Sequence, residues 1–206
     1  MMRRLLATAL LALAGEAAAT SVLVLTAGPD RVQLLVDDQR LRALRAGERS
    51  PEGIVLVAAT ADGATLVVDG REHVLRLGER NDGRVTLFAD RDRRFRARVQ
   101  VNGRPAIGLI DTGAEAVTIG RELARELGID YAGGQRARLN TVVGPVPGFL
   151  VTLAAVRVGA IEVTGVRGVV ADSDAPEFAQ VLVGASFLGR VQLEQKGNRL
   201  TLIPAN

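Results

Sequence analysis

The tetrapeptide Asp111-Thr112-Gly113-Ala114 places residues able to do hydrolytic chemistry at the end of an apolar run, Ala106–Ile110. A water molecule that attacks an amide needs a base to take its proton and an acid to protonate the departing nitrogen. Two carboxylates held close together supply both, because like charges that near cannot both ionise and share one proton. Gly113 lets the backbone turn tightly under the carboxylate and offers its amide, as does Ala114 with a minimal side chain. The hydroxyl of Thr112 can anchor the loop against a counterpart. The competing reading is a strand-to-turn corner in which Asp111 only caps backbone amides.

Paired-carboxylate chemistry needs a second aspartate in the same setting, and the chain has no other Asp-[Thr/Ser]-Gly. Asp172-Ser173-Asp174 lacks the glycine and reads as a surface turn before Pro176. Two identical chains on a twofold axis would bring Asp111 opposite its own copy, so a homodimer is expected. Other catalytic routes have no residues to carry them. The single histidine, His73, sits in a strand-like run and reads as half-buried and structural; cysteine is absent. No His-Glu-x-x-His or Gly-x-Ser-x-Gly occurs, so neither a metal nor an organic cofactor is expected.

The elements around the tetrapeptide read as β. Ala97–Val101 alternates, Asn102-Gly103 makes a hairpin turn, and Ala106–Ile110 returns as an apolar strand. Val117–Ile119 follows as a strand, then Arg121–Leu127 is amphipathic with Gly128 as its stop. Val191–Glu194 and Leu200–Ile203, joined across Lys196-Gly197-Asn198, read as a terminal hairpin. Upstream, Val22–Leu25, Val32–Val36, Ile54–Ala58, Thr65–Val68 and His73–Leu77 are short strands. Gly28-Pro29-Asp30, Ser50–Gly53, Asp62-Gly63 and Asp69-Gly70 punctuate them as turns. The fold class is therefore mostly β: a small β-barrel or sandwich over 20–80, a basic linker over 81–96, and a second β domain over 97–206. The linker reading rests on Asp90–Arg98, where five arginines interleave with two aspartates. Aromatic residues make up only 3% of the chain and tryptophan is absent, which argues against nucleic-acid binding by base stacking.

From about Arg98 to Ile203 the sequence resembles bacterial retropepsin-like aspartic proteases. The likeness is carried by Asp111–Ala114 and by Val181-Leu182-Val183-Gly184-Ala185-Ser186-Phe187-Leu188 about 70 residues later. The resemblance implies a single-lobe acid-protease fold cutting peptide or protein substrates, with Asp111 catalytic and Thr112, Gly113 and Ala114 as the active-site loop. It implies that Val183 and Gly184 form the psi-loop segment beside that loop, leading into a short helix. It also places Thr141-Val142-Val143-Gly144 at the flap hairpin that closes over substrate. The sequence departs from the pattern there, with Val143-Gly144-Pro145 instead of an Asn-Gly tip, and at Glu115, where Ser or Thr is common. Viral members build their dimer interface from terminal strands, which makes the terminal hairpin a candidate for the same use.

The first residues read as a secretory signal peptide over 1–19: arginines in Met1–Arg4, a predominantly apolar stretch Leu5–Ala14, and small residues Ala17–Ala19 before a cleavage site. A periplasmic or secreted protein is expected, an uncleaved anchor being the lesser alternative. The segment Val32–Gly78 resembles the periplasmic homology-region domain of type II secretion and pilus-assembly proteins, through Gly47-Glu48, Pro51-Glu52-Gly53, Asp69-Gly70 and Leu75–Gly78. That resemblance implies a module docking an envelope protein. It also keeps open a non-catalytic alternative, in which the protease fold serves as a scaffold.

Overall fold

The computed structural model describes residues 19–141 and 144–205. The expected leader, apart from Ala19, and the flap-tip residues Val142 and Val143 therefore lie outside the described residues.

Six strands come first: β1 (Val22–Gly28), β2 (Arg31–Val36), β3 (Arg40–Arg45), β4 (Val55–Thr60), β5 (Gly63–Val68) and β6 (Arg71–Arg76). They form two antiparallel three-stranded sheets, β1-β2-β3 and β4-β5-β6. The sheets close over a core in which Val22, Val24, Leu34, Leu56 and Leu66 are fully buried. Alternation along β2, with Val32, Leu34 and Val36 inward, fixes its face and register. The strand β3 has no counterpart in the expected set, because its sequence Arg-Leu-Arg-Ala-Leu-Arg buries only Leu44. Arginine-rich edge strands of this kind carry little apolar signal and resist pairing with other chains.

The turns follow local chemistry with one exception. Asp69-Gly70 and Asn102-Gly103 both sit in the left-handed region, as a tight hairpin turn requires. At Asp62-Gly63 the two-residue turn is instead Ala61-Asp62, with Thr60 paired to Gly63. Gly63 is needed there for space: a Cβ would lie 2.2 Å from the carbonyl oxygen of Leu75.

The expected linker 81–96 is corrected by the structure. It contains β7 (Val85–Phe88), whose Val85 and Leu87 are buried in the second core. The arginine run masked this short apolar strand, since its charges belong to the turn that follows. Next come β8 (Arg96–Val101), β9 (Arg104–Ile110), β10 (Val117–Gly120), α1 (Arg121–Glu126), β11 (Arg136–Thr141), β12 (Gly144–Val158) and β13 (Ile161–Ala171). A 3-10 turn at Pro176–Phe178 leads to β14 (Val181–Val183), α2 (Ala185–Leu188), β15 (Val191–Lys196) and β16 (Arg199–Pro204). Seven strands lie in the order β11-β12-β13-β10-β14-β9-β8, and β12 also pairs with β8, so the sheet closes into a barrel. The terminal hairpin is present, and β16 pairs on its other side with β7.

The two cores are joined without a spacer. Val24 N donates to Glu79 O, and Gly78 N donates to Val24 O, so residues 78–81 lie along β1. On the other side Thr86 N donates to Gly78 O, which ties the same segment to β7. Arg80 fastens the junction. Its side chain, only 5% exposed, pairs with Asp38 at 2.8 Å and donates to the Ser21 hydroxyl. Arg199 reaches the same Asp38 at 3.5 Å from β16.

Two expectations follow. Arg80→Ala removes charge-assisted bonds from a buried position and should lower stability by about 1.5–3 kcal/mol, read as a reduced urea midpoint. In the N-terminal sandwich the Arg42 guanidinium, 2.5 Å from Glu52, holds that carboxyl down from its ordinary 4.5 to about 2. A depressed carboxyl contributes stability above its ordinary pKa and loses it as pH falls through the folded value. The stability difference between wild type and Glu52→Gln should therefore shrink between pH 4.5 and 2, as followed by acid titration of the two proteins.

Candidate active site

Asp111 stands directly after β9, where strand pairing hands over to a loop. The short β14 runs parallel to β9, with Ile110 opposite Val183, and the Asp111 amide continues the ladder by donating to Val183 O at 3.1 Å. On its other side β14 meets β10 through Thr118 and Leu182. The loop 111–116 therefore crosses over the end of β14 to join two strands that flank it.

Within the loop the carboxylate is held by its own backbone. Gly113 N donates to Asp111 Oδ1 at 2.9 Å, and Ala114 N donates to Asp111 O at 3.3 Å. This is the capping geometry of the bland reading, and it leaves Oδ2 with no hydrogen bond from the described residues. Asp111 is half-buried, while Thr112 and Gly113 are exposed. The loop presents its chemistry outward, toward a space the chain itself does not fill.

Gly184 sets how closely the psi-loop segment approaches. A Cβ on it would lie 2.4 Å from Ala116 O and 2.6 Å from Ala114 O, so only glycine fits under the loop. The first amides of α2 then bind the loop's carbonyls: Ala185 N donates to Ala114 O at 2.8 Å and Ser186 N to Glu115 O at 3.1 Å. Glu115 is thus fixed by its backbone while its side chain stays exposed. Ser186, which sequence reasoning left without a role, completes the tie. Its Oγ accepts from Val117 N at 2.9 Å and donates to Arg167 O at 2.6 Å, joining the loop, α2 and β13. The signal was a hydroxyl residue two positions after the motif glycine, at the start of a helix.

The expected flap is a hairpin. Thr141 at the end of β11 pairs with Gly144 at the start of β12, and Thr141 Oγ1 donates to Gly144 O at 2.6 Å. The two residues between them, Val142 and Val143, are the tip and lie outside the described residues.

A depression of about 410 Å³ opens at Asp111, lined by the apolar Phe95, Leu109 and Leu182 and by the charged Arg93, Arg94 and Glu177. Arg93 and Arg94 belong to the stretch expected to be a linker. The Asp90 side chain organises that stretch instead, accepting from the backbone amides of Asp92 and Arg94 at 2.9 Å each.

Residues 97–190 match the family model described as gag-polyprotein putative aspartyl protease. The chain is similar to the crystal structure of a retropepsin-like aspartic protease from Rickettsia conorii, at 26% identity over 58% of this chain and 87% of that one, with a TM-score of 0.49. It is also similar to EIAV protease in complex with the inhibitor HBY-793, at 21% identity over 47% of this chain and 86% of that one, with a TM-score of 0.38. No curated protein matches the chain. The closed barrel, the Asp-Thr-Gly-Ala loop over β14 and the family match define an aspartic-type endopeptidase, a hydrolase. Over residues 97–190 the chain is similar to the retropepsin-like aspartic proteases.

The geometry predicts two losses. Gly184→Ala forces a methyl onto two backbone carbonyls and should displace the Asp111 loop, with destabilisation of about 1–3 kcal/mol or more, visible as altered amide resonances of residues 111–116. Ser186→Ala leaves Val117 N–H without its acceptor and should cost about 1–3 kcal/mol, measured by thermal unfolding.

Proposed function

We propose that the protein is a homodimeric endopeptidase in which the Asp111 carboxylates of two chains hold one water molecule between them. One carboxylate takes the water's proton as its oxygen attacks the scissile carbonyl. The other, protonated, first hydrogen-bonds that carbonyl; the amide nitrogen then receives a proton and leaves, and the dyad regains its shared proton. Thr112, Gly113 and Ala114 hold the carboxylate in place. Val183 and Gly184 support the loop from beneath, and the flap from Thr141 to Gly144 covers the bound peptide.

The observation that carries this reading is Asp111 lining an open depression with its Oδ2 free of hydrogen bonds from the described residues, on a single Asp-Thr-Gly copy per chain. The dimer reading draws further support from β15. Its outer edge meets no strand among the described residues, and five of its six residues, from Gln192 to Lys196, are exposed. A free edge of this kind is suited to pairing with its own copy across a twofold axis.

The N-terminal sandwich supports a docking role alongside catalysis. Leu41, Val57 and Val74 are 65%, 48% and 73% exposed on it, an apolar display that suits an envelope protein partner. We further propose that the leader directs the chain to the periplasm or the exterior, which cell fractionation of the tagged protein would test.

Asp111→Asn should reduce peptide cleavage by about 10³-fold or more while leaving the thermal transition in place, because volume barely changes. Specific activity should fall on dilution below the dimer dissociation constant. Excess Asp111→Asn chains should poison the wild type by forming half-sites. A fully active monomer in sedimentation would overturn the dimer reading.

A further inference from the structure

A second cavity, of about 350 Å³, lies at the junction of the two cores and shares no lining residue with the depression at Asp111. Its size falls within the range of small-molecule sites, roughly 300–1,000 Å³. The apolar part of its wall includes Val85 and Leu87 from β7, together with Leu77, a leucine left 44% exposed at the end of β6. A ligand seated there would bury this leucine.

The polar part is dominated by guanidinium groups. Arg76, Arg96, Arg98 and Arg157 all line the cavity, against two carboxylates, Asp62 and Glu79. Glu79 is buried and engaged, since its Oε2 accepts the backbone amide of Arg76 at 3.0 Å. Arg157 is held by Glu162 at 2.7 Å, and Arg96 by Asp90. Arg76 has no acidic partner among the described residues. Arg98 has one, Asp62 at 2.5 Å, but both side chains stand well out in solvent, at 76% and 63% exposure. An exposed pair of that kind contributes little to stability and yields readily to a better-placed anion.

We propose that this cavity binds a small apolar carboxylate, its chain on Leu77, Val85 and Leu87 and its carboxylate between Arg76 and Arg98. A guanidinium fork matches a carboxylate in shape and charge, which a neutral head group cannot reproduce. The shared chemistry fits either a medium-chain fatty acid or the free C-terminus of a short hydrophobic peptide. The inference does not depend on proteolysis.

The test is calorimetric titration of the purified protein with decanoate and, separately, with acetyl-leucyl-leucine. Decanol and the dipeptide amide serve as uncharged controls. Saturable binding of at least one carboxylate, with Kd below about 1 mM, is expected. The charged arm that binds tighter identifies the source. The double variant Arg76→Gln/Arg98→Gln alters only exposed side chains, and it should weaken that binding by about tenfold or more, as should removal of the ligand's charge. Absence of saturable binding by both carboxylates overturns the proposal. So does equal binding of the uncharged controls, or equal binding by the double variant.

Discussion

The molecule is organised around the contact between two backbones at Gly184. The end of β14 passes so close beneath the Asp111 loop that no side chain fits between them, and the loop's own carbonyls bind the first amides of α2. Beside the loop's own bonds to Asp111 from Gly113 and Ala114, three ties hold the loop around this contact: the amide bond to Val183, the crossing to β10, and the Ser186 hydroxyl tying the crossing to β13. The arrangement uses the backbone for nearly all its hydrogen bonds. Its rigidity therefore depends on shape more than on side-chain charge.

Much of the site was legible in the primary structure because it is made of residues with narrow physical roles. Gly184 is required by close approach, the apolar run before Asp111 specifies a strand, and Gly128 in the left-handed region ends α1. Asn102-Gly103 gave its turn correctly for the same reason. The failures fall where charge hides a pattern. Asp90–Arg98 reads as a solvated connector, yet Phe95 accepts a backbone bond from Ile110 and Arg93 and Arg94 line the depression at Asp111. The strand β3 escaped detection because arginines outnumber its buried side chains. Ser186 was invisible as a functional residue because its partners, Val117 and Arg167, lie 69 and 19 residues away.

The N-terminal sandwich and the barrel each have their own buried cluster, but the chain between them is shared structure. Residues 78–81 hydrogen-bond to β1 on one side and β7 on the other, and a buried arginine spans the join. Arg80 is 5% exposed and its partner Asp38 46%, so one end of the pair is packed into the junction while the other faces solvent. Arg80 accordingly reads as the residue that fixes how β1 and β16 meet, with Asp38 shared between Arg80 and Arg199.

The strand β7 also shows that the unit recognisable by ancestry is smaller than the unit that folds. The family match runs from residue 97 to 190, but Val85, Leu87, Leu200 and Leu202 lie in the same core as the strands within it. A chain cut at the boundaries of the match would lose the whole three-stranded sheet β15-β16-β7 and lay bare the barrel wall beneath it. Flanking segments that look like connectors from outside the family can be its missing walls, so a divergent neighbour of this domain is better delimited by its buried surface than by its similarity.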